Sequence, residues 1–177
     1  SMIKQVFIIN GSGGVGKDTF VELVCDQASY DVEIRNYSSV SKVKEIAKAI
    51  GWNGEKTERD RKFLSDLKLL TTEYNNMPLN DMKKYADEFM HSYPFSLNKI
   101  LFLHIREPEE IAKAVNEFKE YNAKTILVKR DSVKHITSNM ADENVYNYDY
   151  DIVIENNGTL EELKVAAEYF LNDCLTN

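Results

Sequence analysis

The sequence predicts an α/β fold of three layers, with a five-stranded parallel sheet between helices. Three observations carry this expectation. Short apolar runs near residues 3–10, 32–37, 100–105, 125–128 and 151–154 alternate with stretches of helical periodicity, the order that builds a parallel sheet through crossover helices. The first run is almost continuously apolar, as expected of a central strand covered on both faces. A glycine-rich turn at residues 11–16 then separates this run from the first helical stretch.

Taken in order, each element has its own signal. After the turn, Phe20, Val21, Val24, Cys25 and Ala28 recur at helical spacing. The second strand ends near Tyr37, where Ser38 or Ser39 suits an N-cap. The helix that follows carries the stripe Val40, Val43, Ala47 and Ile50 and stops at Gly51, with 51–54 as its exit turn. Between Glu55 and Pro94 only helical periodicity is present. Phe63, Leu67, Leu70, Tyr74 and Met77 form one stripe, Met82, Tyr85, Ala86 and Phe89 another, and Pro78 divides them. The third strand ends at Arg106. Pro108 opens the next helix, with Glu109 and Glu110 in its first turn and Ile111, Val115 and Phe118 inward. After the fourth strand, residues 131–148 are polar with few apolar anchors, which marks a candidate lid. The last helix is capped by Thr159 and turns Leu160, Leu163, Ala167, Phe170 and Cys174 inward.

At 177 residues the chain suits one domain. Its core is expected over about 2–37 and 98–177, with a helical insertion over about 38–97. Cys25 and Cys174 are far apart, form no ligand spacing and read as core filler. With no apolar run of membrane length and no leader pattern, the expectation is a cytoplasmic protein without a membrane partner. A formal charge of −7 argues against nucleic acid. An anionic ligand must then be held by a few clustered cations, and only five arginines exist: Arg35, Arg59, Arg61, Arg106 and Arg130.

The turn itself, Gly11-Ser12-Gly13-Gly14-Val15-Gly16-Lys17-Asp18-Thr19, fits Gly-x-x-x-x-Gly-Lys, the phosphate-cradling P-loop, in its expected strand-to-helix context. Its backbone N–H groups converge on one concavity and the helix dipole adds positive potential there. Gly11, Gly13, Gly14, Val15, Gly16, Lys17, Asp18 and Thr19 are therefore the candidate nucleotide-binding residues. The position after Lys17 ordinarily holds Ser or Thr for magnesium; here it is Asp18, with Thr19 one place later, and these two are the candidate metal contacts. In a doubly wound sheet, ligands bind at the carboxyl ends of the strands. The cradle, residues 38–44 with Lys42, Arg106, Arg130 and Asn156 all follow strands and are expected to meet there. Phosphoryl transfer is catalysed by positioning and charge neutralisation, which makes Lys17, Asp18, Arg106 and Arg130 the catalytic candidates. Lys42, Arg59, Arg61, Lys62 and Arg106 are the candidates for holding an acceptor.

The cradle, the strand end His104-Ile105-Arg106-Glu107-Pro108-Glu109-Glu110 and the tail from Asp151 to Leu160 together resemble the P-loop nucleoside monophosphate kinases, closest to the phage-type deoxynucleoside monophosphate kinases. The resemblance implies a P-loop NTPase fold, ATP as donor, magnesium, and a nucleoside or deoxynucleoside monophosphate as acceptor. It also implies that the loop Asn156, Asn157, Gly158 approaches adenine. The family's third-strand motif runs Asp-Val-Arg-x-Pro-x-Glu. Arg106, Pro108 and Glu110 match, whereas His104 stands where the family has an aspartate that helps organise magnesium water. Glu107, Glu109 or Asp18 are the residues available to compensate. The 131–148 segment departs from the adenylate kinase pattern in having no arginine after Arg130. Two alternatives stay open: a P-loop kinase for another small phosphorylated or hydroxylated metabolite, and a non-catalytic nucleotide-binding module, for which His104 is the best support.

Overall fold

The computed structural model describes residues 2–133 and 144–176. Most of the 131–148 segment expected to act as a lid lies outside them. Five strands, β1 (Lys4–Asn10), β2 (Val32–Ser38), β3 (Asn98–His104), β4 (Lys124–Lys129) and β5 (Ile152–Glu155), form one sheet in the order β2-β3-β1-β4-β5. Every pairing is parallel. The helices among the described residues are α1 (Lys17–Gln27), α2 (Ser41–Ala49), α3 (Glu58–Asn75), α4 (Met77–Met90), α5 (Pro108–Glu117) and α6 (Leu160–Thr176).

Period-two alternation in the central strands divides the core into two layers. Phe7 and Ile9 of β1, with Ile100 and Phe102 of β3, face α1 and α6. Val6, Ile8, Leu101 and Leu103 face Met82, Ala86, Phe89 and Met90 of α4 and Ile111 and Ala114 of α5. Helix α4 therefore covers the sheet, although it falls within the stretch 38–97 read from the sequence as an insertion. β1 stands between β3 and β4, so the chain leaves it first to reach β2 beyond β3 and later returns to β4 on its other side. That reversal opens a crevice at the carboxyl ends of β1 and β3.

Several local expectations are corrected. Val40, not Ser38 or Ser39, is the N-cap of α2. Ser38 instead accepts a hydrogen bond from the Val40 N–H at 3.2 Å and donates its own N–H to Ser41 Oγ at 3.1 Å, so the serines are used in the turn before the helix. Ile50, just past α2, and Leu160, in the first turn of α6, are exposed, so neither belongs to the buried stripe expected of its helix. The stripe from Phe63 to Tyr74 is not buried; no residue of α3 is. Asn76, left-handed at φ 57°, separates α3 from α4, and Pro78 sits in the first turn of the second helix, where its missing N–H costs nothing. Both cysteines are free and pack against the α1/α6 side of the core. Among the described residues no helix is long and apolar enough to cross a membrane.

Phe170 ties this layer together. Its ring centroid lies 4.9 Å from Phe7, 5.4 Å from Phe20 and 6.1 Å from Phe102, so it joins α6 to β1, α1 and β3. Phe170→Ala is expected to cost about 3–5 kcal/mol in urea denaturation, whereas Val165→Ala on the exposed side of α6 should stay within about 0.5 kcal/mol. Equal effects would contradict the assignment.

Candidate functional site

The cradle is shaped by close backbone packing. At Gly11 a Cβ would come 2.8 Å from the Val128 carbonyl oxygen of β4. At Gly16, φ is +91° and a Cβ would lie 2.5 Å from Asn156 Nδ2. Only glycine satisfies both the torsion and the space. Asn156 is buried, and its Nδ2 donates to the Val15 carbonyl at 2.9 Å, pinning the cradle from the β5 side. From the β1 side, Asn10 Oδ1 accepts the Gly11 N–H at 2.9 Å, while Asn10 Nδ2 donates to the Arg106 carbonyl at 2.9 Å and to Tyr150 Oη at 3.0 Å. One amide thus joins the ends of β1 and β3 to the segment before β5.

Two hollows lie side by side at this edge. The first, about 250 Å³, is lined by every residue from Gly11 to Thr19 and by Arg106. The second, about 370 Å³, is lined by Lys17, Ser38, Ser39, Val40, Lys44, Lys68, His104, Arg106 and Glu107. Lys17 and Arg106 line both. The Lys17 side chain is largely buried, and its pKa is lowered chiefly by that burial, with Asp18 acting the other way and Arg106 adding to the lowering. Its Nζ stands 4.0 Å from the well-exposed Asp18 carboxylate. Asp18 and Thr19 both border the cradle hollow, so a hard cation seated there would find a carboxylate and a hydroxyl; no cluster of three potential metal ligands occurs among the described residues.

The second hollow gathers four cations, Lys17, Lys44, Lys68 and Arg106. Lys68, on α3, reaches Glu110 Oε1 of α5 at 2.6 Å and donates to Ser39 Oγ at 3.4 Å, so it bridges three elements at the pocket wall. Glu107 has a raised pKa, caused first by burial and then by Glu110. His104 donates from Nε2 to Asn36 Oδ1 at 2.8 Å when neutral. Burial and then Lys17 lower its pKa to about 4, with Asp18 opposing.

Other sequence candidates lie elsewhere. Arg130 spends its guanidinium on the loop after β5, donating to the carbonyls of Asn156 at 2.7 Å and Gly158 at 3.4 Å. It therefore holds that loop and lines neither hollow. Asn157 Oδ1 accepts the Asp131 N–H at 2.9 Å, which fixes the same loop. Lys42 pairs with Glu45 at 3.2 Å and Lys62 with Asp66 at 2.6 Å, both along their own helices. Arg59 borders a separate hollow with Trp52, and neither Arg61 nor Glu109 lines the two described above. Of the four cations lining the second hollow, Lys17 and Arg106 are sequence candidates, whereas Lys44 and Lys68 are not among them. Lys44 could have been, since it falls in the 38–44 stretch. Asn10 also gave a usable signal as a polar residue closing an apolar strand.

No family model matches the sequence, and neither does any curated protein. Solved structures do match in fold. The APS kinase of Mycobacterium tuberculosis in complex with AMPPNP and APS is 10% identical, with 100% of both chains covered and a TM-score of 0.54. A sugar kinase from Janibacter is 14% identical over 96% of this chain and 95% of that one, TM-score 0.51. The tunicamycin resistance protein of Deinococcus radiodurans is 10% identical over the same shares, TM-score 0.52. At these identities the likeness is one of fold. This chain has the three-layer P-loop NTPase fold, and proteins described as kinases are among those that share it.

The His104 environment gives a signed pH dependence. Between about pH 4 and 6.5 the unfolded chain binds a proton at this ring that the folded chain does not, so stability rises with pH across that window and levels off above it. An NMR titration is expected to place the His104 midpoint near 4, and His104→Asn should flatten the stability slope between pH 4 and 6.5. A midpoint near 6.5 would contradict the placement.

Proposed function

We propose that this chain is an ATP-dependent phosphotransferase, with the nucleotide polyphosphate in the cradle and a small phosphorylated acceptor in the adjoining cationic hollow. A nucleoside or deoxynucleoside monophosphate is the acceptor class favoured by the sequence resemblance. The observation that carries the reading is that Lys17 and Arg106 border both hollows, so a phosphoryl group passing between them stays beside the same two cations. The kinase descriptions of proteins sharing the fold support it, as does AMPPNP in one of them. On this reading the core over about 2–37 and 98–177 holds the donor, and α2 and α3 bring the acceptor residues.

The chemistry asks little of the protein beyond position and charge. A phosphomonoester is already largely dianionic at pH 7, so its oxygen attacks without a protein base. Lys44 and Lys68 hold the acceptor, Lys17 and Arg106 neutralise the equatorial oxygens of the transferred group, and the cradle N–H groups hold the donor phosphates. Magnesium bound with ATP would supply further neutralisation of the phosphate oxygens, with Asp18 and Thr19 as the side chains placed to hold it.

A second reading is favoured by Glu107. A carboxylate with a raised pKa in the acceptor hollow suits a general base, which a hydroxyl acceptor requires and a phosphate acceptor does not. The two are separated by a coupled assay of ADP release with nucleoside monophosphates, deoxynucleoside monophosphates and hydroxyl acceptors such as sugars and gluconate. Nucleoside monophosphates should give the turnover. Lys17→Ala should lower kcat about 10²–10³-fold, and Lys68→Met should raise the acceptor KM about tenfold while Arg61→Ala leaves it unchanged. Asp18→Asn should raise the magnesium concentration needed for half-maximal rate. Acceptor-dependent ADP release that survives Lys17→Ala sinks the reading, and turnover only with hydroxyl acceptors that is lost in Glu107→Gln transfers it to the second.

A further inference from the structure

Helix α3 presents an apolar stripe to solvent. Phe63, Leu67, Leu70 and Tyr74 are spaced four, three and four apart, the seam spacing of paired helices. The helix packs against α2 and α4 on the side where Leu64, Lys68, Thr71 and Thr72 are half-buried, and Leu67, also half-buried, forms the edge between that side and the stripe. That leaves Phe63 37%, Leu70 64% and Tyr74 85% exposed, with Leu69 beside them. At its first turn the stripe runs into the hollow of about 550 Å³ formed by Phe63, Arg59, Trp52 and the exposed Ile50. Stripe and hollow together form one shoulder along a helix about 27 Å long, apolar along the stripe and largely polar in the hollow.

We propose that this shoulder is where a second copy of this chain docks, α3 against α3, antiparallel across a two-fold axis. Charge selects both the occupant and the direction. Arg59 and Glu73 flank the stripe at its opposite ends, and neither has an ion-pair partner among the described residues. In an antiparallel pair each Arg59 meets the partner's Glu73 and the ring of the partner's Tyr74, and each Phe63 meets the partner's Leu70. A parallel pair sets arginine against arginine and glutamate against glutamate. A two-fold contact repeats each favourable meeting twice and closes after two copies. A stable pair buries about 800 Å² on each partner; the Ile50 and Trp52 shoulder adds to the stripe where the far end of the partner's α3 arrives. The opposite side of α3 carries Lys68 at the cationic hollow, so docking leaves that hollow open. The inference does not depend on the phosphotransfer reading.

Sedimentation equilibrium of the whole chain between about 1 and 100 μM is expected to give a species of twice 20.4 kDa. Leu70→Glu should raise the dimer dissociation constant about a hundredfold or more without changing the circular dichroism spectrum, because Leu70 is exposed in the monomer. Arg59→Glu should weaken the pair, and Arg59→Glu combined with Glu73→Arg should restore it. Tyr169→Glu, on an exposed site of α6, should leave it intact. A wild-type chain that stays monomeric over this range overturns the proposal. So does a dimer that survives Leu70→Glu or is lost in Tyr169→Glu. Failure of the double charge reversal to restore association overturns the antiparallel arrangement.

Discussion

The approach of the Asn156 amide to the cradle backbone is the constraint on which the rest of the site depends. Its hydrogen bond to the Val15 carbonyl occupies the space a side chain at Gly16 would need, so the glycine and the asparagine exist as a pair. The carbonyl of Asn156 is in turn held by Arg130, and the Asn156 N–H by the Lys129 carbonyl. The cradle, which lies within the first 19 residues, is thus fixed in shape by the loop after the last strand. A buried backbone acceptor left without a partner costs about 1–3 kcal/mol, which explains why the site tolerates so polar a residue at this depth. Arg130 also belongs to this support. Its charge faces two carbonyls, and an arginine's planar fork is well suited to that task.

The same pinning organises the electrostatics. An acidic chain of net charge −7 brings four cations to one hollow at the sheet's carboxyl edge. The cost of crowding them shows in Lys17, whose ammonium is disfavoured by burial and by Arg106. Glu110 and Asp18 offset part of that cost by pairing with Lys68 and Lys17. Both pairings can be exchanged for an incoming anion, and until then neither Lys68 nor Lys17 is left bare.

The periodicity of the sequence was enough to place five strands and six helices in their right order, because central parallel strands are apolar on both faces and α/β helices carry one clear stripe. The meeting of the cradle with Arg106 at the carboxyl edge follows from the same rules, whereas the order β2-β3-β1-β4-β5 is seen only in the structure. What periodicity does not encode is the body against which a stripe packs. Phe63, Leu67, Leu70 and Tyr74 were legible as an apolar face, but nothing local says that the sheet is already covered by α4 and α5 and that α3 lies outside them. The placement of the cations is a related case. Arg59, Arg61 and Lys62 stand out in a charged run, yet that run begins the helix and lies away from the crevice, whereas Lys68 is nine residues beyond Arg59 and reaches it. Tertiary placement, not residue type, decided between them.

Asp18 and His104 looked in the sequence like one displaced carboxylate. The structure separates them: Asp18 borders the cradle hollow, and His104 borders the cationic one, with Lys17 between. An aspartate at position 104 would place a second negative charge near Lys17 and draw the ammonium away from Asp18. A histidine there is kept neutral first by burial and then by that same ammonium, and its Nε2–H is committed to Asn36. The ring therefore fills the position without competing for the lysine. Charge balance at the cradle then rests on Asp18 alone among the carboxylates that line it, while the neutral ring at the end of β3 leaves that balance undisturbed.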